Sequence, residues 1–362
     1  MDVSKEITVG SFPFAPGFNP YQTLFAKALE SAGMSVRRIP PTKWFPLSQA
    51  CSEPIDVLHL DWHHDWYRGK NRMTQVIKSV MYRHGLRQCR RLPVVWTAHN
   101  LVSHDSPDAQ LDQSCTQKLI DACQGIVVMS DVAETLLRSQ YKVPKHVRTI
   151  KVYHGHYIDY YPNEISRESA RAKLGIGPEE FVCLTPGSLR PYKGHLALVD
   201  AFGASCRPAD RLILAGAATD TAYLAQLSEH IESVTSETHA TIDIFPDTIV
   251  DQQWQIYFNA ADVCVLPFQN ILNSGSLLLA MSFGKPVVAP KIGSIPEIAD
   301  PDSYIGYETR DENGLQRAIA NSRDRFYGTS DQAQIVQRTR DRYSWEKTGK
   351  QLNDFYERLL AG

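Results

Sequence analysis

The sequence predicts an α/β protein of two doubly wound parallel-sheet domains. Short apolar runs alternate with segments of helical periodicity, the pattern that builds parallel sheets covered by helices. The alternation pauses over a polar stretch from Asn163 to Glu180 and then begins again. In the second half, TPGSLRPYKGHLALVDAF (Thr185 to Phe202) runs from strand through cationic loop to helix, and FQNILNSGSLLLAMSFGKPVVAP (Phe268 to Pro290) repeats loop, helix and buried strand.

In chain order, the first half reads as strand EITVGSF, a helix over 23–32, strand VRRI and strand IDVLHLDW. A basic helix follows, then strand LPVVWTAHN, a helix over 112–123 and strand GIVVMS. After the polar stretch, in which SRESARAKLGI has a short helical pattern, come strands FVCLTPG and DRLILAG, and a helix over 223–235. Strand ATIDIFP, a helix over 251–261, and strands DVCVLPF and PVVAP complete the series. Trp345, Leu352, Phe355, Tyr356 and Leu359 are spaced as one face of a helix over 342–360. The expected division is therefore a Rossmann-like domain over 1–160, a linker over 161–180, a second over 181–341, and a C-terminal helix over 342–362.

The chain has 362 residues, 43% of them hydrophobic, enough to bury two cores. No apolar run reaches the 18 or so residues of a membrane span, and the N-terminus lacks the basic-then-apolar build of a secretory signal. The expected location is cytoplasmic. Seven scattered cysteines without a CxxC pair argue against a disulfide framework or a structural zinc site and read as reduced thiols. Net charge is −2, but from Trp66 to His104 there is no acidic residue among eight cations, Arg83, Arg87, Arg90 and Arg91 included. That patch is short and has no aromatic array, which excludes nucleic acid as the expected partner. Met73, Val76, Ile77, Val80 and Met81 form a stripe suited to packing on the sheet, with the arginines on another side, either as a plain solvated face or facing anionic lipid or an acceptor pyrophosphate.

In open α/β sheets ligands sit beyond the carboxyl ends of strands, where loop amides and helix N-termini receive phosphate. GSLRPYKG puts Arg190 and Lys193 at such a place, where a guanidinium and an ammonium would stabilise a diphosphate leaving group. Asn273, Ser274, Gly275 and Ser276 stand at a second helix start, as phosphate or sugar ligands or as a plain N-cap. These two segments resemble the donor-binding domain of GT-B glycosyltransferases, the GT4-like families especially, over roughly 180–310. The GKPVVA strand (Gly284 to Ala289) and the segment from Gly293 to Glu297 extend the match.

The resemblance implies a GT-B fold, two Rossmann-like domains facing a cleft with the C-terminal helix crossing back to the first. It implies an acceptor-binding first domain and a second that binds a nucleotide diphosphate sugar, with Arg190 and Lys193 on the diphosphate and Glu297 near the donor nucleotide. It also implies no cofactor and no metal. Retaining GT4 enzymes carry two glutamates where this sequence has Ile271 and Leu279. The SG-containing loop is similar to that of bacterial exopolysaccharide β-mannosyltransferases, which makes GDP-mannose the first expected donor, ahead of UDP-hexoses. A glycan or polyprenyl-linked acceptor at the inner face of the plasma membrane is the matching expectation. A GT-B epimerase or hydrolase, and a non-catalytic partner subunit, are the alternatives.

In the first half, Gly17 and Asn19 lie in a turn-rich loop after the first strand. Asp61, His63, His64 and Asp65 follow one strand, and His99, His104 and Asp105 follow another. An inverting transferase needs a carboxylate or histidine to take the acceptor proton. Asp61 and Asp105 are the carboxylate candidates, and His99 matches the strand-end histidine that the GT4-like families place near the donor sugar.

Overall fold

The structure is a computed structural model that describes residues 6–15, 20–42, 45–101, 108–328 and 331–362. Gly17, Asn19, His104 and Asp105 lie outside these residues. The chain divides into two compact units, one of 1–155 with 343–362 and one of 156–342.

The first unit alternates strictly: β1 (Thr8–Phe12), α1 (Tyr21–Ser31), β2 (Ser35–Arg38), α2 (Pro46–Ala50), β3 (Val57–Leu60), α3 (Arg72–Cys89) and β4 (Val94–Thr97). It continues with α4 (Ala109–Ala122), β5 (Gly125–Val128), α5 (Asp131–Gln140) and β6 (Arg148–Lys151). All pairings are parallel, in the order β2-β1-β3-β4-β5-β6. Strands β3, β4 and β5 are buried at every residue, as expected when helices cover both faces of a sheet.

The second unit holds α6 (Arg167–Lys173), β7 (Phe181–Pro186), α7 (His195–Gly203), β8 (Asp210–Ala215), α8 (Thr221–Glu237), β9 (Thr241–Phe245) and α9 (Trp254–Ala260). There follow β10 (Val263–Val265), α10 (Gly275–Ser282), β11 (Val287–Pro290), α11 (Ile295–Ile298), β12 (Tyr304–Tyr307), α12 (Gly314–Phe326) and α13 (Gln332–Arg342). Its parallel sheet runs β12-β11-β10-β7-β8-β9. The residues expected to form a linker belong to this unit. Arg171 of α6 is buried against Asp262, 2.8 Å away, and Asp262 also accepts from Arg167 at 2.6 Å and from the Val182 amide at 2.8 Å.

The expected C-terminal helix starts at Trp345, as α14 (Trp345–Leu360), capped by Ser344 and preceded by α13. Leu352, Phe355 and Tyr356 of α14 enter the core of the first unit with Val9, Phe25, Leu29 and Val57.

Two expectations are corrected. Cys51 and Cys89 are joined in a disulfide, while the other five cysteines are free. The sequence separation of 38 hid the pair; α2 packs on α3 at Gly85, where a side chain would strike Leu47, and this brings the two helix ends together. Nor does the stripe on α3 pack on the sheet, because Ser79, Tyr82, Gly85, Leu86 and Cys89 form the buried side of that helix. Met73, Val76, Ile77 and Val80 are 70%, 56%, 46% and 58% exposed.

Candidate functional site

Strand order reverses between β7 and β10 in the second sheet and between β1 and β3 in the first. At such a point successive connections leave toward opposite faces and a crevice opens beyond the carboxyl ends. Arg190 and Lys193 follow β7, and Asn273 to Ser276 follow β10, at the reversal in the second sheet; Asp61 follows β3 at that in the first, and His99 follows the neighbouring β4.

In the second unit the loop after β7 turns at Gly187, whose φ of 103° suits glycine. A Cβ there would meet Lys193 Nζ at 2.5 Å and Ser276 Oγ at 3.4 Å, so ammonium and hydroxyl converge over one bare stretch of backbone. Ser276 donates to the Pro186 carbonyl at 3.5 Å, linking the start of α10 to the end of β7. Arg190 precedes a 3-10 turn over Pro191–Lys193 that Lys193 ends, and Gly194 lets that turn approach Pro267, whose carbonyl a Cβ would strike at 2.2 Å. The Gln269 amide donates to the Tyr192 carbonyl at 3.1 Å, fixing the two loops together.

Lys193 is only 7% exposed. Burial, with Arg190 as the second cause, lowers its pKa to about 8. His195, fully buried behind it, is driven down to about 3 by burial and by Lys193, and is neutral. Among the described residues no neighbouring carboxylate offsets either fall.

Ser274 is the N-cap of α10, its oxygen accepting from the Leu277 amide at 3.1 Å. The plain-cap reading holds for that oxygen, and the amides at Gly275 and Ser276 remain directed at the helix entrance. Asn273 is half-buried beside it. Ile271 and Leu272 are buried and the Leu272 carbonyl accepts from Ser294, so the segment leading to Glu297 packs on this loop. Glu297 lies in α11, where its carbonyl accepts from Arg342 at 2.6 Å.

In the first unit, the register pairs Leu60 of β3 with Trp96 of β4, which brings the residues just beyond them together. His99 Nε2 and Asp61 Oδ1 are 2.9 Å apart. Asp61 is 1% exposed and also accepts from Gln22 at 3.4 Å; His99 is 9% exposed. The imidazole stacks on Trp62, centroids 4.5 Å apart, and meets the edge of Tyr21 at 4.7 Å. Behind Asp61, His59 bonds Thr97 at 2.7 Å and the Tyr356 hydroxyl at 2.6 Å. Burial lowers the pKa of His59 to about 4, and likewise His154, whose ring lies 4.8 Å from Tyr21. Both are neutral, which leaves Asp61 and His99 as the polar pair at this strand end.

Sequence reading named Asp61 and His99 separately but missed Gln22, Tyr21, Trp62 and Tyr356, which have no local signal of this role. His63 faces the Tyr82 hydroxyl at 3.0 Å and is buried, away from Asp61. Arg83 and Arg87 are exposed on α3, and Arg90 and Arg91 are exposed immediately after it. Among the described residues no three His, Cys, Asp or Glu side chains cluster as metal ligands, and no helix is long and apolar enough to cross a membrane.

Residues 180–323 match the family described as glycosyl transferases group 1. The GDP-mannose:glycolipid 4-beta-D-mannosyltransferase of Xanthomonas campestris pv. campestris is 28% identical over 284 residues, 78% of this chain and 72% of that one. A D-inositol 3-phosphate glycosyltransferase of Corynebacterium glutamicum (strain R) is 24% identical over 299 residues, 76% of this chain and 69% of its own. In structure, the sucrose-phosphate synthase of Thermosynechococcus elongatus superposes with a TM-score of 0.73 at 19% identity, over 98% of this chain and 100% of that one. The chain thus has the two-domain fold of the GT-B glycosyltransferases, and residues 180–323 of its second unit are similar to the group 1 glycosyl transferases.

Proposed function

We propose that this enzyme transfers mannose from GDP-mannose to a hydroxyl of a lipid-linked glycan, such as a polyprenyl-linked oligosaccharide, at the cytoplasmic face of a membrane. The observation that carries the donor half is the convergence of buried Lys193 and Ser276 over Gly187, beside Arg190 and the α10 N-terminus. As the bond from C1 to the diphosphate breaks, the leaving oxygen gains charge. Lys193, Arg190 and the helix amides are the groups that would stabilise it. The Xanthomonas relative favours guanine over uracil and a glycolipid over a soluble acceptor.

A β-mannoside formed from an α-linked donor requires inversion. The acceptor oxygen bonds C1 from the face opposite the diphosphate, and its proton must pass to a base. His99 suits that role, because it stands at a strand end and Asp61 holds its ring through Nε2 at 2.9 Å. That carboxylate would stabilise the imidazolium, as its counterpart does in a Ser-His-Asp triad. Asp61, too deeply buried to meet an acceptor itself, is the positioning residue. The apolar Ile271 and Leu279, in place of two glutamates, agree with a mechanism that draws nothing from carboxylates at the sugar. No metal or cofactor enters this mechanism. An epimerase, hydrolase or non-catalytic subunit has no counterpart among the relatives named above.

Calorimetric titration with GDP-mannose and UDP-glucose tests the reading. GDP-mannose should bind more tightly, and Arg190→Ala and Lys193→Ala should each weaken it about tenfold or more, a charge-assisted contact being worth about 1.5–3 kcal/mol. Tighter binding of UDP-glucose would replace the donor. Absence of binding by either nucleotide sugar would remove the site.

A further inference from the structure

We infer that the outward face of α3 is a docking surface for an anionic lipid bilayer, inserting its first half and holding headgroup phosphates with its second. The starting point is a face that should not be in water. Four of the exposed large hydrophobic residues, Met73, Val76, Ile77 and Val80, occupy successive turns of one helix. At 3.6 residues per turn they fall within about 60° of one another's mean direction, on the side opposite Tyr82, Leu86 and Cys89. Isolated exposed hydrophobics are ordinary, but a contiguous stripe marks a surface that something covers.

What covers it is indicated by the continuation of the same face. His84 and Arg87 project within about 40° of Met73, with Arg83 at their flank, so the stripe changes lengthwise from apolar to cationic. Arg83, Arg87, Arg90 and Lys118 line a pocket of ≈ 250 Å³ at the α3–α4 boundary, where Asp121 is the one acid. Asp121 pairs with Lys118 at 3.5 Å, and among the described residues no carboxylate pairs with Arg83, Arg87, Arg90 or Arg91. Four cations around one pocket suit phosphate oxygens, and the adjoining apolar turns suit acyl chains; a bilayer surface offers both at that spacing. Asn71 and Thr74 form a reciprocal capping box at the start of α3, and the Cys51–Cys89 link holds its far end, so the face is presented by a rigid helix. Two chemistries in sequence along some 27 Å of helix fit an interfacial helix that tilts its N-terminal half into the acyl boundary.

This inference stands on α3 alone and does not need the donor assignment, so it is tested without donor. Full-length protein is sedimented with vesicles of phosphatidylcholine, and of phosphatidylcholine with about one third phosphatidylglycerol. Wild type should pellet with the anionic vesicles and much less with the neutral ones, and added salt should weaken the anionic binding. Arg83→Gln with Arg87→Gln should lower anionic binding about fivefold per arginine and leave the neutral background unchanged. Ile77→Asp with Val80→Asp should lower binding to both compositions about tenfold or more while GDP binding stays at its wild-type value. Ile77→Ser with Val80→Ser serves if the acidic pair does not fold. In Ile77→Trp, emission should shift to the blue on anionic vesicles and be quenched by brominated acyl chains. Wild-type protein that stays in the supernatant at both compositions would overturn the inference. So would Ile77→Asp/Val80→Asp protein that binds like wild type, or light scattering that shows a dimer dispersed by that pair without any vesicle binding.

Discussion

Lys193 pays for its position, and the cost is measurable. Burial and the neighbouring Arg190 take its pKa from 10.5 to about 8, so at neutral pH it is charged but poorly solvated, a penalty of about 3 kcal/mol. A bound diphosphate replaces the lost solvation and returns the pKa toward its ordinary value. The charged form binds the anion, so affinity is full below about pH 8 and falls as the pH rises through that value. With the bound-state pKa restored to 10.5, GDP should bind about tenfold more weakly at pH 9 than at pH 7. On the same basis GDP should take up about 0.75 proton at pH 8.5 and about 0.1 at pH 7. Calorimetry in buffers of different ionisation enthalpy reads the proton count directly. Guanine releases its own N1 proton in this range, so Lys193→Met supplies the baseline, and the uptake is the difference between the two proteins. Equal proton counts in wild type and Lys193→Met, or an affinity that does not change with pH, would refute the placement of the diphosphate on this ammonium.

His99→Ala should lower kcat by about 10²–10⁴-fold with GDP-mannose binding unchanged, and Asp61→Asn should lower kcat with KM unchanged; full turnover by His99→Ala would eliminate it as base. Asp262→Ala strands the buried Arg171 guanidinium and should cost about 3–5 kcal/mol in urea unfolding, and a loss under about 1 kcal/mol would show that the network contributes little. Alkylation of the unfolded, unreduced protein should label five cysteines and, after reduction, all seven; labelling of seven before reduction would contradict the Cys51–Cys89 bond.

Much of the second unit was legible because its strands are uninterrupted apolar runs and its ligand loops follow them directly. Gly187, Arg190 and Lys193 fall within seven residues, so one local motif states the chemistry. In the first unit the informative contacts are long-range. Asp61 and His99 are 38 residues apart and meet through the register of β3 with β4, while Tyr356 reaches His59 across 297 residues. No local pattern contains those pairings. The cysteine pair is hidden in the same way, since its geometry comes from the packing of α2 on α3.

Helix α3 failed for a different reason. Its period is legible, but the ordinary rule for amphipathic helices places the most apolar stripe in the core. The residues that close against α2 and α4 are instead Ser79, Tyr82, Gly85, Leu86 and Cys89, a less hydrophobic set that permits close approach. Elements with mixed polar sequence likewise carry no clear signal: α5 behind its Ser130 cap, the edge strands β6 and β12, and α12 with α13. Edge strands bury one side less and leave a weaker apolar signal.

The central claim is that the second unit holds a nucleotide diphosphate sugar whose hexose leaves for a lipid-linked glycan. Incubation of the enzyme with radiolabelled GDP-mannose and a bacterial membrane glycolipid extract tests it most directly. Label should enter the organic-solvent fraction as a β-mannoside, and Lys193→Met should abolish the incorporation. Label that appears only as free mannose, or donor that remains unconsumed while UDP-glucose is turned over, would contradict it.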